Sequence, residues 1–321
     1  MKLINGLRFW AFSVFFSSTL FGCAFFLPQS NDLIETPPKD IKRYINLTDV
    51  PFYAQTDYQC GPSSLAMVLN YLGLSVSIES LVDQIYIPSR KGSLQVEMMA
   101  ATRGHGLVAY KLAPKLTDIL KEVASGTPVI VLENYSFGIY DVWHYSVVIG
   151  FDLNEGRIIR RSGKNKIESM PFAAFEYLWK KDKYWSMVAM QPNRIPASAN
   201  EDSYVAAVLD LEKVGQLQSA RIAYEAATTR WPKNLKGRMG LGNTAYALSD
   251  LAGAEVAFKQ ATVDYPESVA AYNNFAHVSA ELGNYETAHN AAKYAVSLGG
   301  PLIDISKSTL IEIQKKILSN P

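Results

Sequence analysis

Apolar and polar positions follow three different rhythms along this 321-residue chain. The first is a nearly unbroken apolar stretch over residues 9–21, shorter than the about 20 residues a comfortable bilayer span takes. From residue 45 to residue 192 the rhythm is mixed. Residues 49–53 read as extended. Leu65, Val68, Leu69 and Leu72 then recur at helical spacing, Pro62 fits a first helical turn, and Gly73 stops the run, so a helix is predicted to begin at about Cys60. Helical segments are predicted near 78–84, 94–104 and 116–124. The run Pro128-Val129-Ile130-Val131-Leu132 predicts a strand over 127–133, residues 142–152 a second β-rich run, and residues 157–161 a third after a turn at 153–156. An α+β unit is expected. Past a proline- and alanine-containing linker at 193–200, the pattern is helical to the end.

The helical part repeats itself. Units starting at Glu201, Leu235 and Val269 keep a 34-residue period without a gap over residues 201–302. One position holds Ala220, Ala254 and Ala288, another Ala227, Ala261 and Ala295, and a third Tyr224, Phe258 and Ala292. Val208, Gly242 and Ala276 share a further position, and Gly215 and Gly283 stand at the turn between helices. Pro232 and Pro266 close the first two units, and Pro301 falls one place late in the third. Small residues let helices cross closely, an aromatic knob fills the gap, and proline breaks the second helix. This is similar to the tetratricopeptide pattern, an all-α solenoid of helix pairs, with residues 303–321 as a capping helix. The resemblance implies a concave surface for a protein or peptide partner; a structural or dimerising add-on is the alternative.

Composition narrows the field. A net charge of +1 without a basic block argues against nucleic-acid binding. Two cysteines in unlike settings argue against an internal disulfide. No cluster of His, Cys, Asp or Glu has metal-ligand spacing and Gly61 is not part of a phosphate loop, so no cofactor is expected. At the N-terminus, Lys2 and Arg8 precede the apolar stretch and the run ends Leu20-Phe21-Gly22-Cys23, so residues 1–22 read as a signal peptide. The Gly-Cys ending resembles the lipobox of bacterial lipoproteins, from which Phe21 departs. That resemblance implies lipidation of Cys23, and Ala24 implies a lipid anchor at the periplasmic face of a Gram-negative outer membrane. A cleaved signal with an incidental cysteine is the alternative. Residues 23–44, with Pro28, Pro37 and Pro38, read as a tether.

Candidate chemistry gathers on Cys60. It stands in Gln55-Thr56-Asp57-Tyr58-Gln59-Cys60-Gly61-Pro62, just ahead of a helix, where the dipole favours a thiolate with a pKa in the range of about 3.5–7.5. A lone cysteine is more often a small buried hydrophobe. Here a histidine, His144, enters the β-rich run Trp143-His144-Tyr145-Ser146-Val147-Val148-Ile149-Gly150, so a helix would carry the thiol and a sheet the imidazole. His105 reads as a helix-end residue, and His277 and His289 as surface or packing residues of the repeats. The aromatic residues Tyr135, Phe137, Tyr140, Trp143 and Tyr145 either line a cleft or pack the sheet.

The segment 45–192 resembles the bacteriocin-processing (double-glycine) peptidases and their papain-like cysteine peptidase relatives. The resemblance rests on Gln55, on Cys60-Gly61-Pro62 with Leu65-Ala66-Met67-Val68-Leu69, and on His144-Tyr145-Ser146-Val147-Val148-Ile149-Gly150. It implies an α+β papain-like cysteine peptidase domain followed by an all-α tetratricopeptide solenoid. It also implies Cys60 as nucleophile, His144 as general base, and Gln55 (or Gln59) as amide donor to the oxyanion beside the Cys60 N–H. The chain departs in the third member, because the neighbourhood about sixteen residues after the histidine reads Arg160-Arg161-Ser162, without a carboxylate. Asp152, eight residues along an unbroken strand, would lie about 26 Å from His144. A hairpin centred near Asn154 brings residues 162–166 opposite it, which makes Ser162 and Asn165 the candidates to orient the ring. The expectation is a lipid-anchored cell-envelope cysteine peptidase with a peptide or protein substrate and a protein partner on the repeats. The alternatives are a non-catalytic peptide-binding relative and a thiol amidase acting on cell-wall peptides.

Overall fold

A computed structural model describes residues 27–55, 58–136 and 141–319. Cys23, Phe137 and Tyr140 lie outside the described residues, and the expected lipidation site lies there with them. In chain order the elements are α1 (Pro28–Glu35), β1 (Tyr44–Asn46), α2 (Cys60–Tyr71), α3 (Ile78–Ile85), α4 (Gln95–Gly104), β2 (Val108–Lys111), α5 (Leu116–Ala124) and β3 (Val129–Asn134). Then come β4 (Trp143–Asp152), β5 (Arg157–Ser162), β6 (Asn165–Pro171), α6 (Phe172–Lys180) and β7 (Ser186–Met190). Six repeat helices follow, α7 (Glu201–Lys213), α8 (Leu217–Arg230), α9 (Leu235–Ala247), α10 (Leu251–Asp264), α11 (Val269–Glu281) and α12 (Tyr285–Leu298), and α13 (Ile303–Ser319) closes the array.

The seven strands among the described residues form one antiparallel sheet in the order β2-β7-β3-β4-β5-β6, with β1 beside the far end of β4. β4 is long enough to hold β3 along its first half and β1 along its last three residues. Gly150 makes the second pairing possible, because a Cβ there would run into the Ile45 carbonyl. Residues 49–53, expected as extended, form no strand; the pairing strand is β1, a few residues earlier.

Both faces of the sheet are covered, which is why β3 and β7 are buried along their whole length and read as apolar runs rather than alternating ones. Leu65, Met67 and Leu69 of α2 pack with Ile130, Leu132, Tyr145, Val147 and Ile149 on one face, joined by α3 and α4. On the other face Val129, Val131, Val148 and Val188 meet α5 and α6, with Trp179, Phe172 and Phe175 at the centre.

Two parts of the chain pack differently from the sequence expectation. Within the stretch read as a tether, α1 is docked on the domain. Its first-turn N–H groups at Gln29 and Ser30 donate to the carboxylate of buried Glu176, at 3.3 and 2.6 Å. Gln29 in turn accepts from the Leu116 N–H at 2.6 Å, and Leu33 enters the core. A carboxylate at a helix N-terminus satisfies orphan donors and suits the dipole. The second difference lies at the linker. Ser198 donates both its N–H and its hydroxyl to buried Glu122, at 2.7 and 2.6 Å. Tyr204, Val205, Val208 and Leu211 of α7 and Tyr224 of α8 then share one core with Val108, Tyr110 and Met190 of the sheet. Repeats two and three build a separate core around Phe258, Phe275 and Ile313.

The repeat helices start at 201, 235 and 269 and at 217, 251 and 285, the period read from the sequence. All six alanines of the two repeating positions are buried. Tyr224 lies over Gly240 and Phe258 over Gly242, where any side chain would collide with the rings. Asn200, Asn234, Asp250 and Ser268 cap their helices by accepting from the N–H three residues on.

Candidate active site

Cys60 is the first residue of α2 and half-buried. The helix start is pressed against the 92–98 segment: a Cβ on Gly61 would meet the Ser93 side chain and the Met98 sulfur. That packing holds Cys60 at one end of β4, whose second residue is His144. Both line one cleft of about 950 Å³, together with Gln55, Trp143, Lys164 and Asp182.

The electrostatics differ from the sequence expectation of a thiolate. Burial pushes the Cys60 thiol up, and the N–H groups of Tyr145, Gly61 and Cys60 itself oppose that only in part. For His144, burial and then the Arg160 guanidinium hold the imidazole down at about 4, against a smaller pull from Glu168. Thiol and imidazole are therefore a neutral pair near pH 7. Desolvation at this half-closed site outweighs those three N–H groups.

His144 Nε2 lies 3.0 Å from Ser162 Oγ. Ser162, one of the two residues suggested by the hairpin, is buried; Asn165 pairs with it in the β5–β6 ladder and faces solvent. The Tyr135 ring meets the imidazole edge-on with centroids 5.9 Å apart. Engagement of Nε2 leaves Nδ1 as the nitrogen without a hydrogen bond among the described residues.

Gln55 is placed as a brace. Its Nε2 donates to Ser64 Oγ and to the Tyr145 carbonyl, each at 3.2 Å, and its Oε1 accepts from the Gly163 N–H at 2.9 Å. Its own N–H donates to the Gly163 carbonyl. One side chain thereby ties α2, β4 and the β5–β6 turn together. Both amide hydrogens are directed to protein acceptors, whereas the resemblance assigned this amide to an oxyanion. The donors that face the thiol are backbone N–H groups.

A buried charge cluster stands behind the imidazole, and the sequence reading missed it. Glu133 pairs with His144 in register across the β3–β4 ladder. Its carboxylate accepts from Arg160 Nη1 and, at 2.6 Å, from Ser146 Oγ. Arg160 Nη2 donates to the Tyr135 hydroxyl and lies 3.1 Å from Glu168 Oε2. Arg160 thus stands where a carboxylate was expected. Arg161 points to the opposite face and donates to the Thr48, Val50 and Lys166 carbonyls, closing the 48–50 loop over the sheet. An Arg-Arg pair in sequence suggests a solvated edge; strand parity was the signal that sets Arg160 and Ser162 on the side of His144. The other histidines are elsewhere: His105 caps the end of α4, His277 sits 3.1 Å from Glu281 on α11, and His289 lies on α12.

Residues 47–187 match the family described as the Peptidase_C39 like family. No curated protein matches the chain. Among solved structures, a C39-like peptidase from Bacillus anthracis is 20% identical with a TM-score of 0.39, over 46% of this chain and 98% of that one. A double glycine motif protease from an AMS/PCAT transporter, in complex with the leader peptide, is 24% identical with a TM-score of 0.35, over 44% of this chain and 90% of that one. The TPR2B domain of yeast Sti1, in a complex with pHsp70, is 15% identical with a TM-score of 0.35, over 36% and 97%. The family likeness therefore falls on residues 47–187, the C39-peptidase-like α+β domain that brings Cys60 and His144 into one cleft ahead of a TPR-like helical array.

Proposed function

We propose that the protein is a cysteine peptidase of the bacterial cell envelope, with its helical repeats as a peptide- or protein-binding module. The observation that carries this is the shared cleft, in which the Cys60 thiol, the His144 imidazole and backbone N–H groups of α2 and β4 converge. In the Nε2–H tautomer His144 donates to Ser162 Oγ and presents the Nδ1 lone pair as the base. Because the resting pair is neutral, the thiol proton passes to Nδ1 as sulfur attacks the peptide carbonyl, rather than beforehand. The Sγ–C bond forms, the carbonyl electrons move to oxygen, and the N–H groups at the start of α2 stabilise the oxyanion. Collapse breaks the C–N bond and the imidazolium returns its proton to the leaving amine. Water, deprotonated by His144, then releases the acyl group as a carboxylic acid and restores the thiol. In the same proposal Cys23 is lipidated and holds the protein at the periplasmic face of the outer membrane.

A second reading has its own observation. Arg160 in place of a carboxylate, and an imidazole held at about 4, suit a cleft that binds peptides without cleaving them. The deciding experiment incubates wild type and Cys60→Ala with a periplasmic peptide extract and with purified peptidoglycan, and follows new termini by mass spectrometry. Cleavage of extract peptides by wild type alone supports the peptidase; cleavage of peptidoglycan alone moves the substrate to cell-wall peptides. Equal peptide retention by both proteins without new termini overturns the catalytic reading.

A further inference from the structure

The helical array carries a groove of about 590 Å³ between α9, α11 and α13. Its charges are of one sign. Asp304 and Glu312 line it, and no lysine or arginine does among the described residues. The chain as a whole has a net charge of +1, so this is a local property.

Asn273 Oδ1 is shut off from solvent with no hydrogen-bond partner among the described residues. Asn274 Nδ2 reaches Asn243 Oδ1 at 3.4 Å, which spends a donor of one and an acceptor of the other. The Tyr246 hydroxyl donates to Glu281 at 2.9 Å, and His277 Nε2 lies 3.1 Å from the same oxygen, so these two are occupied with each other and with Glu281. Beside these groups lies the apolar side chain of Ile305, 54% exposed. An anionic partner would bring its charge against the two carboxylates of the lining. A lysine or arginine side chain fits the same surface, its stem on Ile305 and its head at Asp304 or Glu312. Eight helical residues separate those two carboxylates, about 12 Å along α13. An extended segment covers that distance in about four residues, with both side chains on one side.

We propose that this groove binds an extended polypeptide segment through lysine or arginine side chains about four residues apart. This rests on reading the repeats as a peptide-binding surface and names the chemistry of what they bind.

The test uses the full chain with Cys60→Ala, which keeps probes intact, and fluorescence anisotropy with three labelled decapeptides of glycine and serine. One carries two lysines four residues apart, one carries two glutamates there, and one neither. The lysine peptide binds, the glutamate peptide does not, and affinity falls at least tenfold in the Asp304→Asn/Glu312→Gln double variant. Raising salt from about 50 to about 500 mM weakens binding, as expected for exposed charge pairs. Equal binding of all three peptides overturns the charge assignment and leaves the peptide surface standing. Absence of binding by every peptide overturns both.

Discussion

The α+β domain and the second and third repeats solve the same packing problem with opposite materials. In the domain, contacts run between residues far apart in sequence: Gln55 braces Tyr145 across 90 positions, and the largest buried side chains are Trp179, Arg160, Arg161 and Tyr145. Each of those residues occurs once and does one thing. In repeats two and three, buried alanines recur every 34 residues and an aromatic ring from one helix covers a glycine of its neighbour. Position within the unit decides the role. A unique environment can hold a neutral thiol–imidazole pair above a buried ion pair, whereas a repeated one yields an open groove whose chemistry is set by its few non-repeating residues. The first repeat belongs to both, since its helices complete the core of the sheet.

That shared repeat gives the largest expected effect. A chain shortened to end at residue 192 uncovers Val108, Tyr110, Val188 and Met190 and is expected to show no cooperative melting by circular dichroism. A chain ending at residue 234 keeps α7 and α8 and is expected to melt cooperatively. If the shorter chain melts as sharply as the longer, the domain and the first repeat are separable after all.

Next in size is the charge cluster. Arg160→Met leaves the Glu133 carboxylate buried without its partner, a loss of about 3–5 kcal/mol in urea unfolding. Glu133→Leu combined with Arg160→Met is expected to recover most of it, since removing both charges avoids the desolvation cost. No recovery in the double variant would locate the loss in packing instead.

The contrast between the regions also explains what could be read from sequence. The repeat helices were legible because three copies in one register average out local ambiguity, so that alanines and prolines mark each boundary. The start of α2 was legible from Pro62 and the apolar spacing behind it, and the entry of β4 at His144 from its β-branched run. β7 was not, because Ser186-Met187-Val188-Ala189-Met190 is a short apolar run with no period of its own. α1 was hidden by its prolines, since nothing local announces that Glu176, far along the chain, will accept from its first turn. At the site, Cys60 and His144 could be singled out by type and setting. The neutral charge state could not, because it depends on burial and on an arginine brought in by strand pairing.

A smaller effect concerns pH. In the unfolded chain His144 takes up a proton near 6.5, and in the folded protein at about 4. Between those values the unfolded state binds more protons, so stability is full above 6.5, falls as pH drops toward 4, and then levels. Allowing for the partial exposure of the ring, the loss is about 1–2 kcal/mol. Urea midpoints of wild type and His144→Gln, compared from pH 7 to pH 4, measure it; parallel curves would remove His144 as the cause.

The smallest effect lies in the repeats. Gly215 and Gly283 turn between helices with φ of +82° and +81°, and the same place in the middle unit holds Ser249 at +62°. Ser249→Gly is expected to relieve that conformation and raise stability by about 0.5–1 kcal/mol, read as a small rise in Tm. A fall in Tm would mean the serine side chain contributes more than its backbone costs.

The docking of α1 on Glu176 sets a leash. Helical order begins at Pro28, so five peptide steps, about 18 Å when fully stretched, separate it from Cys23. A lipid on that cysteine would leave the cleft no room to patrol the compartment: the domain would be confined to a thin shell against the bilayer, and any peptide would have to come to it. If the repeats capture peptides as proposed, delivery to the cleft would then be set by that capture.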